Sequence, residues 1–120
     1  LETECVKRLL GLLQSPNQYI REGVATNLAA ISFKDRGKKQ VVDKGGVAPL
    51  CKCLTDPVPE VREAVTLCLC SLSQINPGKN EILGEDSFDK IAKLLEDPSP
   101  DIKLNIVQLI SNLAEHPHGR

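Results

Sequence analysis

The chain has 120 residues, with 15 lysines and arginines against 16 aspartates and glutamates, so its formal net charge is −1. This balance gives no general attraction to nucleic acid or to an acidic membrane surface. Only one tyrosine and two phenylalanines occur, and no tryptophan, which argues against a β-sandwich and against a surface on which bases stack. No apolar run reaches the ~18 residues of a membrane span, so we expect neither a nucleic-acid nor a membrane partner.

The first predicted helices in chain order lie on either side of a pair of glycines. The segment GKKQVVDKGGVAPL reads as a short helix that ends at Gly45-Gly46 and a new helix that begins at Val47. Paired glycines permit a sharp turn between helices, because a glycine has no Cβ to clash when φ is positive. The new helix is predicted over residues 47–55 and ends before Pro57, since proline disfavours helix in the residue that precedes it.

A longer helix is predicted over residues 59–74. Pro59 suits a first helical turn, Glu60 favours the positive end of the helix dipole, and apolar side chains recur at helical spacing. The sequence Asn-Pro-Gly at residues 76–78 is expected to end this helix. A third, shorter helix is predicted over residues 79–84.

One phrase of the sequence occurs three times at a constant interval. LQSPNQYIR, LTDPVPEVR and LEDPSPDIK begin at Leu13, Leu54 and Leu95, which are 41 residues apart. Glycines at positions 37, 78 and 119 keep the same interval. A constant period of about 40 residues indicates a solenoid, in which each unit buries its apolar face against the next.

Five cysteines lie inside these helical patterns. An odd number of cysteines in such patterns is typical of a reducing compartment, so we expect the cytosol or the nucleus. In Cys51-x-Cys53 and Cys68-x-Cys70 the two thiols would point about 200° apart on a helix, so neither pair can chelate one ion. We predict core packing for Cys51, Cys53 and Cys68, greater exposure for Cys70, and no metal or cofactor.

The three-helix unit, the phrase GGVAPLCKCL and the phrase VQLISNLA together resemble the armadillo-repeat family. The HEAT repeat is the close rival, because DPVPEVREAV also suits its helices. The resemblance covers the whole chain and implies an all-α fold, a right-handed α-α superhelix of about three stacked repeats of 41 residues. In family terms repeat 1 covers about residues 1–45 and lacks helix 1 at its start, repeat 2 covers about 46–86, and repeat 3 covers about 87–120. We therefore expect a single armadillo-repeat segment of a longer protein.

The resemblance also implies a concave groove lined by helix 3 of each repeat. In peptide-gripping members of the family, a tryptophan and, one turn later, an asparagine form two ladders along that groove. The asparagine positions here hold Ala30, Ser71 and Asn112, and the chain has no tryptophan. The candidate partner-binding residues on this face are Glu22, Thr26, Glu63, Leu67, Ser71, Gln108 and Asn112.

A second candidate surface is a basic edge in a stretch that also holds Asp35 and Asp43. These cations are either part of an ordinary solvated surface or a docking site for an acidic protein or a phosphate group. No aromatic residue interleaves the cations as in nucleic-acid binding. The basic edge consists of Lys34, Arg36, Lys38, Lys39 and Lys44.

Near the end of the chain, His116 and His118 are predicted to form a turn between helices rather than a metal site.

No nucleophile motif, phosphate-binding glycine loop or paired-carboxylate site occurs in the sequence, so we expect no enzyme. The leading hypothesis is a protein-interaction scaffold that binds a partner helix or extended segment along the concave helix 3 face. One alternative is a transport adaptor for basic peptides (importin-like), which Glu22 and Glu63 favour and the missing tryptophans oppose. The other is a purely structural segment that supports another domain of the parent chain. Uncovered end repeats also predict self-association.

Overall fold

The computed structural model describes residues 3–115, and this part of the chain is helical throughout, with no strand. His116, His118 and Gly119 lie outside the described residues. The helices are α1 (Thr3–Gly11), α2 (Gln18–Ile31), α3 (Asp35–Asp43), α4 (Val47–Lys52), α5 (Pro59–Leu72), α6 (Asn76–Gly84), α7 (Phe88–Lys93) and α8 (Pro100–Ala114). Short 3-10 turns, Cys53–Thr55 and Leu94–Glu96, directly follow α4 and α7.

The three longest helices pack side by side and form the centre of the core. α2 contacts α5, and α5 contacts α8. Leu28, Val65, Leu69 and Ile106 on these helices are wholly buried in one hydrophobic cluster. Burial of apolar surface between successive units is the main stabilising contribution in such a stack. The all-helical solenoid predicted from the period is confirmed.

The starts of the long helices follow from local hydrogen bonds and from proline. Asn17 Oδ1 accepts hydrogen bonds from the backbone N–H of Tyr19, at 2.9 Å, and of the following residue. Ser99 Oγ accepts from the N–H of Ile102 at the start of α8. Pro59 lies in the first turn of α5, where a missing N–H costs nothing. Each long helix therefore begins where a side-chain oxygen accepts from one of its first backbone N–H groups, or where a proline has no N–H to be satisfied.

Two helix boundaries differ from the sequence prediction. α5 ends at Leu72, and Asn76 begins α6 together with Pro77 and Gly78, which were expected to end the preceding helix. Pro77 suits the first turn of α6, because the first N–H groups of a helix have no partner within it. The predicted repeat boundaries near residues 45 and 86 fall in turns between helices. The division into repeats and the longer parent protein stay predictions.

Two of the periodic glycines, Gly37 and Gly78, lie where two helices approach too closely for a side chain. A Cβ added to Gly37 would lie 1.8 Å from the carbonyl oxygen of Ile31, and one added to Gly78 would lie 1.9 Å from that of Leu72. The ends of α2 and α5 therefore pack directly on the backbones of α3 and α6. Gly45 has a φ of +73°, which allows the turn between α3 and α4.

Buried arginine–aspartate pairs join successive units. Arg21 Nε donates to Asp56 Oδ2 at 2.9 Å, and its Nη1 donates to the carbonyl oxygen of Ser15 at 2.8 Å. One period later, Arg62 Nε donates to Asp97 Oδ2 at 2.9 Å, and its Nη1 donates to the carbonyl oxygen of Asp56 at 2.8 Å. Arg21 and Arg62 thus each tie the turn before their helix to the turn of the next unit.

Cys51, Cys53 and Cys68 are buried, as predicted. Burial raises the pKa of the Cys68 thiol to about 12 and that of Cys53 to about 11. Cys70 is the most exposed of the four, as predicted, but at 8% it is still buried, and Asn112 of α8 approaches its sulfur. The exposed cysteine is Cys5, on α1.

Candidate functional site

A cleft of about 440 Å³ lies between α2 and α5, on the face that the resemblance predicts to be concave. We call it the acidic cleft. Both helices supply residues from successive turns, because their packing brings equivalent positions side by side. Four of the candidate residues, one pair from each helix, line it together. The lining residues are Glu22, Thr26, Ala29, Ala30, Phe33, Glu60, Glu63, Ala64 and Leu67.

The charge of the cleft is negative. Glu22, Glu60 and Glu63 line it, and no described lining residue is basic. Between these carboxylates the wall is formed by small side chains such as Ala29 and Ala64, which let another backbone approach closely. A group with a positive charge or several N–H donors would therefore find acceptors without meeting bulky side chains.

Two apolar side chains stand at the cleft and are open to solvent. Phe33, which follows the end of α2, is 72% exposed. Leu67 of α5 is also exposed. An exposed aromatic ring can contact an aliphatic chain or a cation over its face. The cleft therefore combines negative charge with an apolar contact surface.

Sequence reasoning missed Phe33 and Glu60 as cleft residues. Phe33 lies beyond the last turn of α2, outside the helix 3 face used to choose candidates. Glu60 was explained by the helix dipole alone. Its spacing of three residues from Glu63 places both carboxylates on one face of α5 and is the signal that identifies it.

The structure does not bring the remaining candidates into this cleft. Ser71 is only 5% exposed, so its predicted place on the groove surface is wrong. Ser71 lies on α5, which packs between α2 and α8. Gln108 and Asn112 lie on α8 and line no part of the acidic cleft.

The amide of Asn112 is already engaged inside the protein. Its Nδ2 donates to Ser73 Oγ at 2.9 Å and to the carbonyl oxygen of Cys70 at 3.3 Å. Its Oδ1 accepts from Gln108 Nε2 at 3.1 Å. Both N–H groups of the amide therefore have protein acceptors, and Asn112 joins α8 to the end of α5.

The basic edge loses one of its five members. Lys38 is 5% exposed; its Nζ donates to the carbonyl oxygen of Phe33 at 3.0 Å and lies 3.4 Å from Asp35 Oδ1. Its predicted place on a surface is wrong, because it satisfies a carbonyl group just beyond the end of α2. The other four are exposed, and a docking role for them stays a prediction: Lys34, Arg36, Lys39 and Lys44.

Within residues 3–115, no group of three or more His, Cys, Asp or Glu side chains is placed to hold a metal ion. None of the helices in this part of the chain combines the length and apolar character needed to cross a membrane.

The family described as Cnd1, non-SMC mitotic condensation complex subunit 1, matches residues 39–119. The chain belongs to the Cnd1 family. A comparison with curated proteins found no match. The Cnd1 family is HEAT-like, so its match is compatible with the armadillo resemblance and its HEAT rival.

Solved structures show the same fold as this Cnd1-family chain. An engineered protein of the Northeast Structural Genomics Consortium has a TM-score of 0.88 and 26% identity, over 93% of this chain and 28% of that chain. A designed armadillo repeat protein has a TM-score of 0.84 and 22% identity, over 91% of this chain and 47% of that chain. Another, in complex with the peptide (KR)4, has a TM-score of 0.84 and 22% identity, over 91% of this chain and 46% of that chain. The chain spans less than half the length of each, and its armadillo-type fold is confirmed.

Proposed function

We propose that this Cnd1-family chain is a non-catalytic protein-interaction scaffold that binds an extended or helical segment of a partner protein along α2 and α5. The acidic cleft carries the proposal, since it is a concave site with convergent carboxylates on a rigid helical frame. Rigid helices hold these groups in place before binding, so little ordering entropy is lost when a partner docks.

The charge of the cleft selects a basic segment. Glu22, Glu60 and Glu63 can each accept hydrogen bonds from a lysine or arginine of the partner. Phe33 offers its ring to the aliphatic part or the cation of the same side chain. The alanines between them leave room for the partner's backbone. A basic segment with at least one long side chain directed at Phe33 satisfies all three features.

Two similarities support this proposal. One designed armadillo repeat protein of the same fold is described in complex with the peptide (KR)4, which shows that such a solenoid can hold a basic peptide. The name of the Cnd1 family describes a subunit of a complex, in keeping with a scaffold that contacts other proteins. We place the chain in the cytosol or the nucleus, where its exposed Cys5 stays reduced.

The acidic cleft also favours a second candidate function, a transport adaptor that carries basic peptides. The carboxylates support it in the same way. The missing tryptophan ladder and the internal hydrogen bonds of Asn112 weigh against it. An adaptor would bind many basic peptides with similar affinity, whereas a scaffold would select one partner sequence.

Titration of a fluorescein-labelled lysine-rich peptide tests the proposal. We expect saturable binding that weakens as salt is added. Removing the three cleft charges together should weaken binding about tenfold or more. A tenfold loss of affinity corresponds to ~1.4 kcal/mol, and the three lost contacts should together cost at least that much. The cleft variant is Glu22→Gln with Glu60→Gln and Glu63→Gln.

A matched control removes three exposed carboxylates that do not line the cleft and leaves the same net charge as the cleft variant. It should bind like the wild type. No saturable binding to the wild type would reject both a basic partner and the adaptor, and would leave the purely structural role. Equal loss in both variants would indicate non-specific charge attraction. The control variant is Glu81→Gln with Asp86→Asn and Asp89→Asn.

A further inference from the structure

The row of carboxylates in the acidic cleft does not continue onto α8. Glu22 of α2 and Glu63 of α5 hold the same place in successive units, 41 residues apart, and both line the cleft. One period later, Leu104 of α8 holds that place. We call the side of the stack on which the cleft opens the cleft side. There the third unit offers an apolar side chain where the first two offer a carboxylate.

The exposure of Leu104 follows from its place in the unit. Leu104 is 67% exposed. Glu63, at the same place on α5, is exposed as well, although α2 and α8 pack on either side of that helix. A side chain at this place therefore reaches solvent when both neighbouring units are present, and the exposure of Leu104 does not require that α8 lack a neighbour.

A second exposed leucine lies beside Leu104 on the neighbouring helix. Asn105 Nδ2 donates to the carbonyl oxygen of Glu63 at 3.2 Å and to Thr66 Oγ1 at 3.1 Å. These bonds hold the turn of α8 that carries Leu104 against this turn of α5. Leu67 follows Glu63 by one turn, is 37% exposed and lines the acidic cleft. Leu67 and Leu104 therefore flank the boundary between α5 and α8 on the cleft side, and we call them the leucine pair.

The surroundings of the leucine pair suit an apolar group on a basic segment. Gln108, one turn after Leu104, is neutral, and its Nε2 donates to Asn112 Oδ1 at 3.1 Å. Asp101, one turn before Leu104, holds the place of Glu60 and keeps a carboxylate nearby. An apolar side chain on the pair therefore meets a neutral amide on one side, while its basic neighbours still find negative charge on the other.

We propose that the partner segment places an apolar side chain on the leucine pair next to the basic side chain that enters the acidic cleft. The inference rests on the proposed function, because it names the kind of basic segment that the cleft accepts. A leucine, isoleucine, valine or phenylalanine of the partner would bury apolar surface of Leu67 and Leu104 that water now contacts. Binding then depends on two contacts of different chemistry, which selects one sequence pattern among basic segments.

The packing of the helices sets the spacing between these two side chains of the partner. Helices packed side by side have axes about 8–10 Å apart, and the cleft and the leucine pair lie at successive boundaries, α2 with α5 and α5 with α8. In an extended segment, side chains two residues apart point to the same side and lie about 7 Å apart. A lysine or arginine side chain is long enough to reach the remaining distance. The expected pattern therefore has one residue between the basic and the apolar residue.

An extended segment fits this surface because small side chains line the cleft. Ala29, Ala30 and Ala64 form its wall between the carboxylates. A partner backbone can therefore come close enough for the side chains on one of its faces to reach both contacts.

Two labelled peptides that differ in one residue test the proposal. The first holds Arg-Ser-Arg-Ser-Leu in a glycine-serine host, and the second has serine in place of the leucine. Both are also made with the order reversed, because either direction of the partner chain satisfies the two contacts. At physiological salt we expect the wild type to bind the leucine peptide, in its tighter order, about fivefold more tightly than the serine peptide, since partial burial of one leucine side chain contributes that much. Fluorescence anisotropy measures both affinities.

Substitution of Leu104 shows whether the leucine of the peptide lies on the leucine pair. Leu104→Glu gives α8 the residue that the first two units hold at this place. It changes an exposed side chain, so the variant should fold, which circular dichroism checks. It should bind the two peptides with equal affinity, because the apolar contact is lost for the first and a carboxylate is gained for both.

Val107→Glu is the matched control, since it adds the same charge to the same helix. Val107 is 55% exposed and holds on α8 the place that Thr66 holds on α5. Thr66 Oγ1 accepts from Asn105 of α8, on the side of α5 away from α2, so Val107 lies on the side of α8 away from α5. The control should keep the preference for the leucine peptide.

The outcomes separate this inference from the proposed function. If neither peptide bound the wild type saturably, the proposed function would be wrong and the inference with it. Equal affinities of the wild type for the two peptides would reject the apolar contact alone and leave the basic cleft in place. A preference that survives in Leu104→Glu, or is lost in Val107→Glu as well, would place the leucine of the peptide elsewhere and overturn the proposal.

Moving the leucine tests the expected spacing. One more serine before the leucine turns its side chain to the opposite side of an extended segment. We expect this peptide to bind no more tightly than the serine peptide. If it kept the full preference, the proposed spacing would be wrong.

Discussion

Arg62 Nε lies 2.9 Å from Asp97 Oδ2, between the 3-10 turn Leu94–Glu96 and α8, and the same guanidinium reaches back to the carbonyl oxygen of Asp56. Both side chains of the ion pair are largely buried. Asp97 Oδ1 also accepts from the N–H of Ser99 at 3.0 Å. One arginine therefore holds the turns of two successive units.

Removing this arginine should destabilise the fold strongly. Arg62→Ala leaves the carboxylate of Asp97 buried without its partner, and we expect a loss of about 3 kcal/mol in the free energy of unfolding. Urea denaturation followed by circular dichroism measures it. Arg8→Ala breaks an exposed ion pair instead and should change stability by less than about 1 kcal/mol. Equal losses in the two variants would contradict the structural role of Arg62.

The same carboxylate should make stability depend on acidity. Burial tends to raise the pKa of Asp97, but the hydrogen bonds from Ser99 N–H and Arg62 outweigh it, so this pKa lies below its ordinary value of 3.8. The stabilisation is therefore present above that ordinary value and is lost as pH falls through the lowered pKa. Urea unfolding at pH ~5, ~4 and ~3 should show a smaller acid-induced loss in Asp97→Asn than in the wild type. Identical losses would contradict it.

Two glycines should respond to alanine in opposite directions. Gly78→Ala forces a Cβ against the carbonyl oxygen of Leu72, and we expect it to cost about 2 kcal/mol or more. Gly23→Ala meets no atom within 4 Å and lies inside α2, so it should stabilise by about 0.5–1 kcal/mol. Thermal unfolding of dilute protein compares them. A neutral Gly78→Ala would show that α6 can shift away from α5.

Asn112 and Glu63 should separate stability from recognition. Asn112→Ala removes two hydrogen bonds between α8 and the end of α5, so it should cost about 1–2 kcal/mol and leave peptide binding unchanged. Glu63→Gln should weaken peptide binding with little change in stability. Denaturation and anisotropy titration of both variants test this. If the Asn112→Ala variant stayed folded but lost peptide binding, Asn112 would belong to the peptide-binding surface.

Thiol reactivity should distinguish Cys5 from the other four cysteines. Cys5 is exposed, whereas burial raises the pKa of Cys68 to about 12 and that of Cys53 to about 11. The thiolate is the reactive form, so these buried thiols should react slowly near neutral pH. Ellman's reagent should label one cysteine quickly in the folded chain and all five in denaturant. Fast labelling of two thiols in the native state would contradict the burial of Cys70.

The sequence predicted the repeat from its constant 41-residue interval, and the helices and buried cysteines from helical spacing. It did not predict the start of α6, since a proline can end one helix or begin another. Burial of Lys38 and Ser71 depends on how neighbouring units pack, which no local pattern records. Four cleft residues were found from their places on helix 3. Phe33 was missed because its position depends on where α2 ends.

Asp56 joins the units on both sides of its turn, since its side chain accepts from Arg21 and its carbonyl oxygen accepts from Arg62. Opening either boundary between units therefore disturbs the turn that holds the other. Repeat stacks often lose their units one after another from the ends. Here the shared turn couples the boundaries, so the slowest-exchanging amides of α2, α5 and α8 should exchange together, as parts of one cooperative folding unit.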